Sequence, residues 1–254
     1  MPLSNEPIVR RKLSDEVFDR LKALITTGEL SPGDPFPSER ELMDRLGVGR
    51  PAIREAMQQL STIGLLTISH GERARVRRPT ARSIFQQVDD AANVLLSNSP
   101  ASLEHLKEAR RFFELGMVRQ AAEKADAQAI ARLQEAVARQ RAGLGNADAF
   151  IAADMLFHTC IAAISGNPLF EAMSEAMLGW LKQYHTDLLI WTGKENITLS
   201  EHEEILGRIV AHDPEGAEKA MARHLDRSAL LYVHQGGGSS DAAPQKAGAD
   251  KSRV

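Results

Sequence analysis

The stretch from Ser38 to Arg78 restricts the possible folds more than any other part of the chain, because helix signals and breakers alternate there at short intervals. Ser38-Glu-Arg-Glu41 has the spacing of a capping box, in which serine and glutamate satisfy each other's unpaired amides. Leu42, Met43 and Leu46 then supply the apolar stripe of a short helix, interrupted by Gly47-Val-Gly49. Pro51 suits the first turn of a following helix, where its missing N–H costs nothing. Ile53, Met57 and Leu60 face inward along it to about Thr62, and Gly64 closes it. Residues 65–69 read as a strand, His70-Gly71 as a turn and residues 74–77 as the returning strand. Upstream, Ser14 is expected to cap a helix carrying Val17, Leu21, Leu24 and Ile25 that ends at Gly28, before a proline-broken loop. Three helices and a hairpin outline a winged helix-turn-helix over residues 13–79, behind a flexible arm at 1–12.

Charge supports that outline. The whole chain of 254 residues carries a formal charge of −3, which excludes a uniformly basic coat. Yet Gly47–Arg78 holds six arginines against Glu55 and Glu72. In a helix-turn-helix the N-terminal residues of the second helix reach base edges in the major groove. Arg50 and Arg54 lie there one turn apart, and arginine matches the two acceptors of guanine. Arg40 starts the preceding helix, placed for phosphate or a base. His70 and Gly71 mark the wing tip, where glycine lets the backbone approach a groove. Gly47-x-Gly49-x-x-Ala52 imitates a dinucleotide fingerprint, but it follows a helix instead of a strand and is set aside.

Beyond Pro79 the composition shifts to helix formers. Breaks at 97–100, 126, 143–146, 166–168, 193–196 and 212–214 divide residues 80–235 into about seven helices with short connections, an antiparallel bundle. Residues 236–254 are small and polar and are expected to be disordered. Cys160 is the only cysteine, so a disulfide framework is excluded; it is read as a buried structural thiol. No apolar run reaches the roughly 18 residues of a membrane helix, and the start lacks a secretory core. A cytoplasmic protein is expected, mainly α in class.

Asp154 and His158 are four apart on one helix, on a shared face and about 6 Å apart along the axis. Carboxylate and imidazole so arranged suit a borderline divalent metal. His202 and His224 fall inside two further helices, and helix bundles build metal sites from inward side chains of several helices. His105, His185, His212 and His234 lack a paired ligand at helical spacing or lie in turns. Arg110 and Glu114 are also four apart, and either an intrahelical ion pair or a carboxylate clamp by Arg110 is open.

The run Pro37–Leu42, Val48–Ala56, Leu60 and Gly64–Leu66 resembles the signature of the GntR superfamily of regulators. For its fatty-acid-regulator branch the resemblance implies DNA contacts at Arg40, Arg50, Arg54, His70 and Gly71; Pro51 and Ala52 stand where some members carry hydroxylic residues. The Asp-x-x-x-His, His, His series resembles the helical FCD sensor domain. That implies a metal, zinc or nickel, on Asp154, His158, His202 and His224, with room for an organic carboxylate and Arg110 as its partner. Local strings such as residues 71–76, 111–114 and 166–168 are similar to the sialic-acid-responsive repressors of this branch.

The function implied is a homodimeric repressor that binds double-stranded operator DNA and responds to a small carboxylate effector, sialic acid foremost, with other sugar acids, lactate or a dicarboxylate as alternatives. A metal-dependent enzyme fused to a DNA-binding module, and a DNA-binding protein without ligand, are the rival classes.

Overall fold

The computed structural model describes residues 11–69, 71–184 and 194–232. The arm through residue 10, His70, His185, His234 and the tail from 236 lie outside the described residues. The chain divides into two compact units, residues 1–90 and 91–254.

In the first unit, α1 (Leu13–Thr26), α2 (Glu39–Leu46) and α3 (Arg50–Thr62) precede an antiparallel pair, β1 (Leu66–Thr67) and β2 (Arg75–Val76). Leu66 pairs with Val76 and Thr67 with Arg75. The strands are shorter than the expected 65–69 and 74–77. Part of β2's hydrogen bonding goes instead to the proline-rich loop: Gly33 N–H donates to Val76 at 2.8 Å and Val76 N–H to Asp34 at 3.0 Å. α2 opens on the expected capping box, Ser38 N–H to Glu41 Oε2 at 2.7 Å and Glu41 N–H to Ser38 Oγ at 3.3 Å. It ends at Gly47, whose φ of 66° is a left-handed value that glycine adopts without a Cβ penalty. Ser14 does not cap α1: it is buried inside the helix, and Lys12 holds the cap position with no side-chain bond. Val17, Leu21, Phe36, Leu42, Ile53 and Leu60 build the core that fixes α2 against α3.

The helical stretch expected over 81–97 is two helices, α4 (Ala81–Gln86) and α5 (Asp89–Ser97). Thr80 and Ser83 form a second capping box at the start of α4, and Gln87 N–H, turned back onto Ser83 and Ile84, closes it. The second unit then contains α6 (Pro100–Lys124), α7 (Ala127–Ala142), α8 (Ala147–Ala163), α9 (Pro168–Lys182), α10 (Lys194–Val210) and α11 (Pro214–Ser228), followed by a 3₁₀ turn at Ala229–Leu231. Asp126, Asn146, Asn167 and Asp213 each cap the helix that follows, with Pro168 and Pro214 in its first turn. Val118, Leu133, Phe157, Ile161, Ile205, Ile209 and Met221 form the bundle core. No helix among the described residues is long and apolar enough to cross a membrane.

Candidate metal centre and DNA-facing helix

Three helices bring the sequence-predicted ligands together. Asp154 and His158 project from α8, His202 from α10 and His224 from α11. One nitrogen from each histidine lies within 4.8 Å of the other two. His202 Nε2 is 3.3 Å from His224 Nε2 and 3.6 Å from Asp154 Oδ1, and His158 Nε2 is 4.0 Å from Asp154 Oδ2. All three imidazoles are buried.

Each imidazole is gripped from behind. His158 Nδ1 meets Glu114 Oε2, His202 Nδ1 meets Gln140 Oε1 at 2.7 Å, and His224 Nδ1 meets Glu201 Oε2 at 2.8 Å. An acceptor at Nδ1 holds the proton there and leaves the Nε2 lone pair for the shared centre. Phe157 stacks on the His202 ring at 4.3 Å and fixes its plane. His158 Nε2 is buried without a hydrogen-bond partner among the described residues. A buried nitrogen left so is costly unless something else occupies the centre, and the N₃O donor set fits a divalent cation of zinc type.

The supporting groups are themselves paired. Burial alone would raise the Glu114 carboxyl, but Arg110 and His158 overcome it and hold it below the usual range. Arg110 donates from Nε to Glu114 at 2.5 Å and from Nη1 to the Tyr232 hydroxyl at 2.9 Å. Burial would likewise raise Glu201, yet hydrogen bonds from His224 and Arg227 bring it down. Burial pushes the His202 imidazole well below its ordinary value, and His224 moves the same way. Gln140 bridges two ligands, its Nε2 donating to Asp154 Oδ1 at 3.1 Å.

Gln140, Glu201, Arg227 and Tyr232 were not among the sequence candidates. One of them left a readable sign: Gln140 continues the stripe Leu133, Ala136, Val137, where a polar residue needs buried partners. Arg110 and Tyr232 also border a cavity of about 360 Å³, with Lys107, Arg111, Leu181 and Leu225 around it, a size within the range of small-molecule sites. His105 is exposed, and His212 Nδ1 donates to the Ala122 carbonyl at 2.9 Å. Cys160 is half-buried, less enclosed than expected, because its face of α8 meets only the margin of the core.

In the first unit, Arg50 and Arg54 stand at the start of α3 with side chains 61 % and 69 % exposed. Glu39 faces both, at 2.9 Å from Arg54 Nε and 3.5 Å from Arg50 Nε. Exposed pairs of this kind contribute about 0–1 kcal/mol, so a phosphate or guanine can displace Glu39 at little cost. Arg40 is exposed and has no hydrogen bond or ion pair among the described residues. Gly71 has a φ of 76° at the hairpin turn. Two arginines counted in the basic stretch serve the fold instead. Arg73 donates to the Phe36 carbonyl at 2.9 Å and to Glu41 at 2.6 Å, and Arg75 to the Gly33 carbonyl at 2.9 Å.

A winged helix-turn-helix and a helical bundle with this polar centre define a class. The model for bacterial regulatory proteins of the gntR family matches residues 13–76, and the FCD domain model matches residues 105–227. The chain belongs to the GntR family of bacterial transcription regulators, in the branch whose second domain is FCD. It is 40 % identical to the HTH-type transcriptional repressor NanR of Cronobacter sakazakii over 88 % of this chain and 86 % of that one. The NanR repressor of Escherichia coli K12 is 39 % identical with the same coverage. Among solved structures, Streptococcus agalactiae GntR superposes with a TM-score of 0.60 at 23 % identity, covering 85 % of this chain and 99 % of that one. The chain is therefore a DNA-binding regulator, and the enzyme alternative is set aside because its relatives regulate transcription.

Proposed function

We propose that the protein is a cytoplasmic, homodimeric repressor whose hold on operator DNA is released when an acid sugar, sialic acid foremost, binds at a divalent metal in the helical unit. The observation that carries this reading is the convergence of three imidazoles, each gripped at Nδ1, with Asp154 around a His158 Nε2 that has no hydrogen-bond partner among the described residues. The NanR-named relatives favour repression over activation.

Asp154, His158, His202 and His224 would hold the ion, zinc or nickel, which supplies a Lewis-acidic position for a carboxylate. Glu114, Gln140 and Glu201 keep the imidazole protons on Nδ1, so the ligand nitrogens stay available. Arg110 retains one nitrogen, Nη2, without a partner among the described residues, to meet a carboxylate oxygen. On the DNA side Arg50 and Arg54 would read base edges, with Arg40, His70 and Gly71 meeting the backbone or wing groove. Effector binding shifts operator affinity only as far as it distinguishes the two states.

Operator binding measured by fluorescence anisotropy with zinc-loaded protein tests this. N-acetylneuraminate should weaken binding, and a chelator should abolish its effect. Operator affinity indifferent to N-acetylneuraminate and to other sugar acids would overturn the sensor role.

A further inference from the structure

The groups behind the three imidazoles are unequal. Behind His158 stands the Glu114 carboxylate, neutralised by Arg110 at 2.5 Å; behind His224 stands Glu201, neutralised by Arg227 at 2.6 Å. Behind His202 stands Gln140, a fully buried amide with no charge at all. Its two ends are both committed, to His202 and to Asp154. At the cavity rim Lys107 pairs with Glu104 at 2.8 Å and Arg111 with Asp226 at 2.6 Å, while Glu108 lies exposed to solvent and outside the buried set.

The sum follows from these pairings. Asp154 contributes one negative charge, the imidazoles none, and each Glu–Arg pair none. Among the described residues, a divalent cation therefore leaves one positive charge uncompensated by buried groups, where charge imbalance is most costly. We propose that Gln140 sets this charge, so that the centre accepts one singly charged carboxylate and disfavours dianions. The inference rests on the metal reading given above. It narrows the effector class to monocarboxylates and identifies Gln140 as a positioning residue whose neutrality determines specificity. A carboxylate at position 140 would still accept the His202 proton but would cancel the charge that the effector needs.

Two substitutions of opposite sign distinguish charge from mere packing. Gln140→Glu lowers the charge of the centre by one, and Glu201→Gln raises it by one. Cobalt-loaded full-length protein at pH 8 is titrated with acetate and separately with succinate, followed by the visible cobalt bands, after circular dichroism has verified each fold. Gln140→Glu should weaken acetate binding at least tenfold while cobalt remains bound. Glu201→Gln should move the preference toward succinate. Equal acetate affinity in wild type and Gln140→Glu, or weakening of both anions by both variants, would overturn the proposal. Should wild-type protein take up no cobalt, the metal reading itself falls and this inference with it. Cobalt uptake and an acetate response without any N-acetylneuraminate response would instead contradict only the assignment of the effector.

Discussion

Arg110 donates to Glu114 one turn further along α6, at 2.5 Å and within the buried bundle. The other oxygen of that carboxylate meets His158 Nδ1, so an ion pair on one helix positions a metal-ligand candidate on another. Of the two readings open at the sequence level, the intrahelical pair forms, and it leaves Arg110 Nη2 without a partner among the described residues.

Removing one member of this pair strands the other. Arg110→Met should destabilise the helical unit by about 3–5 kcal/mol, the range for breaking a buried ion pair. Arg110→Met with Glu114→Gln should be less damaging than Arg110→Met alone. Urea unfolding of metal-free protein checks this, and a double variant weaker than the single would contradict it.

On the DNA side, Arg50→Ala should relax specificity at one base position by roughly 1–3 kcal/mol. Arg73→Ala should lower the melting temperature instead, because its guanidinium is spent on the Phe36 carbonyl and Glu41. Competition binding with a set of single-base operator variants, beside thermal unfolding, separates the two. Uniform weakening by Arg50→Ala would make Arg50 a phosphate contact.

Much of this organisation was legible in the chain. The capping box at Ser38 and Glu41, the Gly47 stop and the proline after Arg50 are local signals, and local hydrogen bonding decides them. Asp154 and His158 were legible because four residues place two side chains on one face. His202 and His224 read as histidines inside two further helices, a pattern the family resemblance also carries, but their convergence depends on α10 and α11 meeting α8, which no short-range pattern reports. Arg73 and Arg75 read as part of the basic stretch in the sequence because the carbonyls that hold them lie 37 and 42 residues away, beyond any local pattern. Ser14 has the look of a cap, yet the cap position falls two residues earlier, at Lys12, and Ser14 is buried within the helix.

Stability should depend on pH through His202 and His224, whose folded pKa values burial depresses. Below about 6.5, the ordinary histidine value, the unfolded chain binds protons that the folded chain refuses, so stability falls as pH falls. Metal-free protein should keep constant stability from pH 8 to 7 and lose it steadily from about 6.5 toward 5.5. A further loss below about pH 4.5 is expected as Glu114, held low in the fold, gains a proton only on unfolding. Urea midpoints across this range check it; a flat profile from pH 8 to 5.5 would contradict it.

Ser38→Ala should cost the DNA-binding unit about 0.5–2 kcal/mol, the range for losing an N-cap. Thermal unfolding monitored by circular dichroism measures it, and an unchanged midpoint would mean that the capping box contributes nothing.

The centre formed by Asp154, His158, His202 and His224 is tested most directly by calorimetric titration of zinc into metal-free protein, wild type beside a His158→Ala, His224→Ala double variant. One zinc per chain should bind the wild type and none should bind the variant at the same concentrations. Equal uptake by both proteins would show that the imidazoles converge for some purpose other than holding an ion.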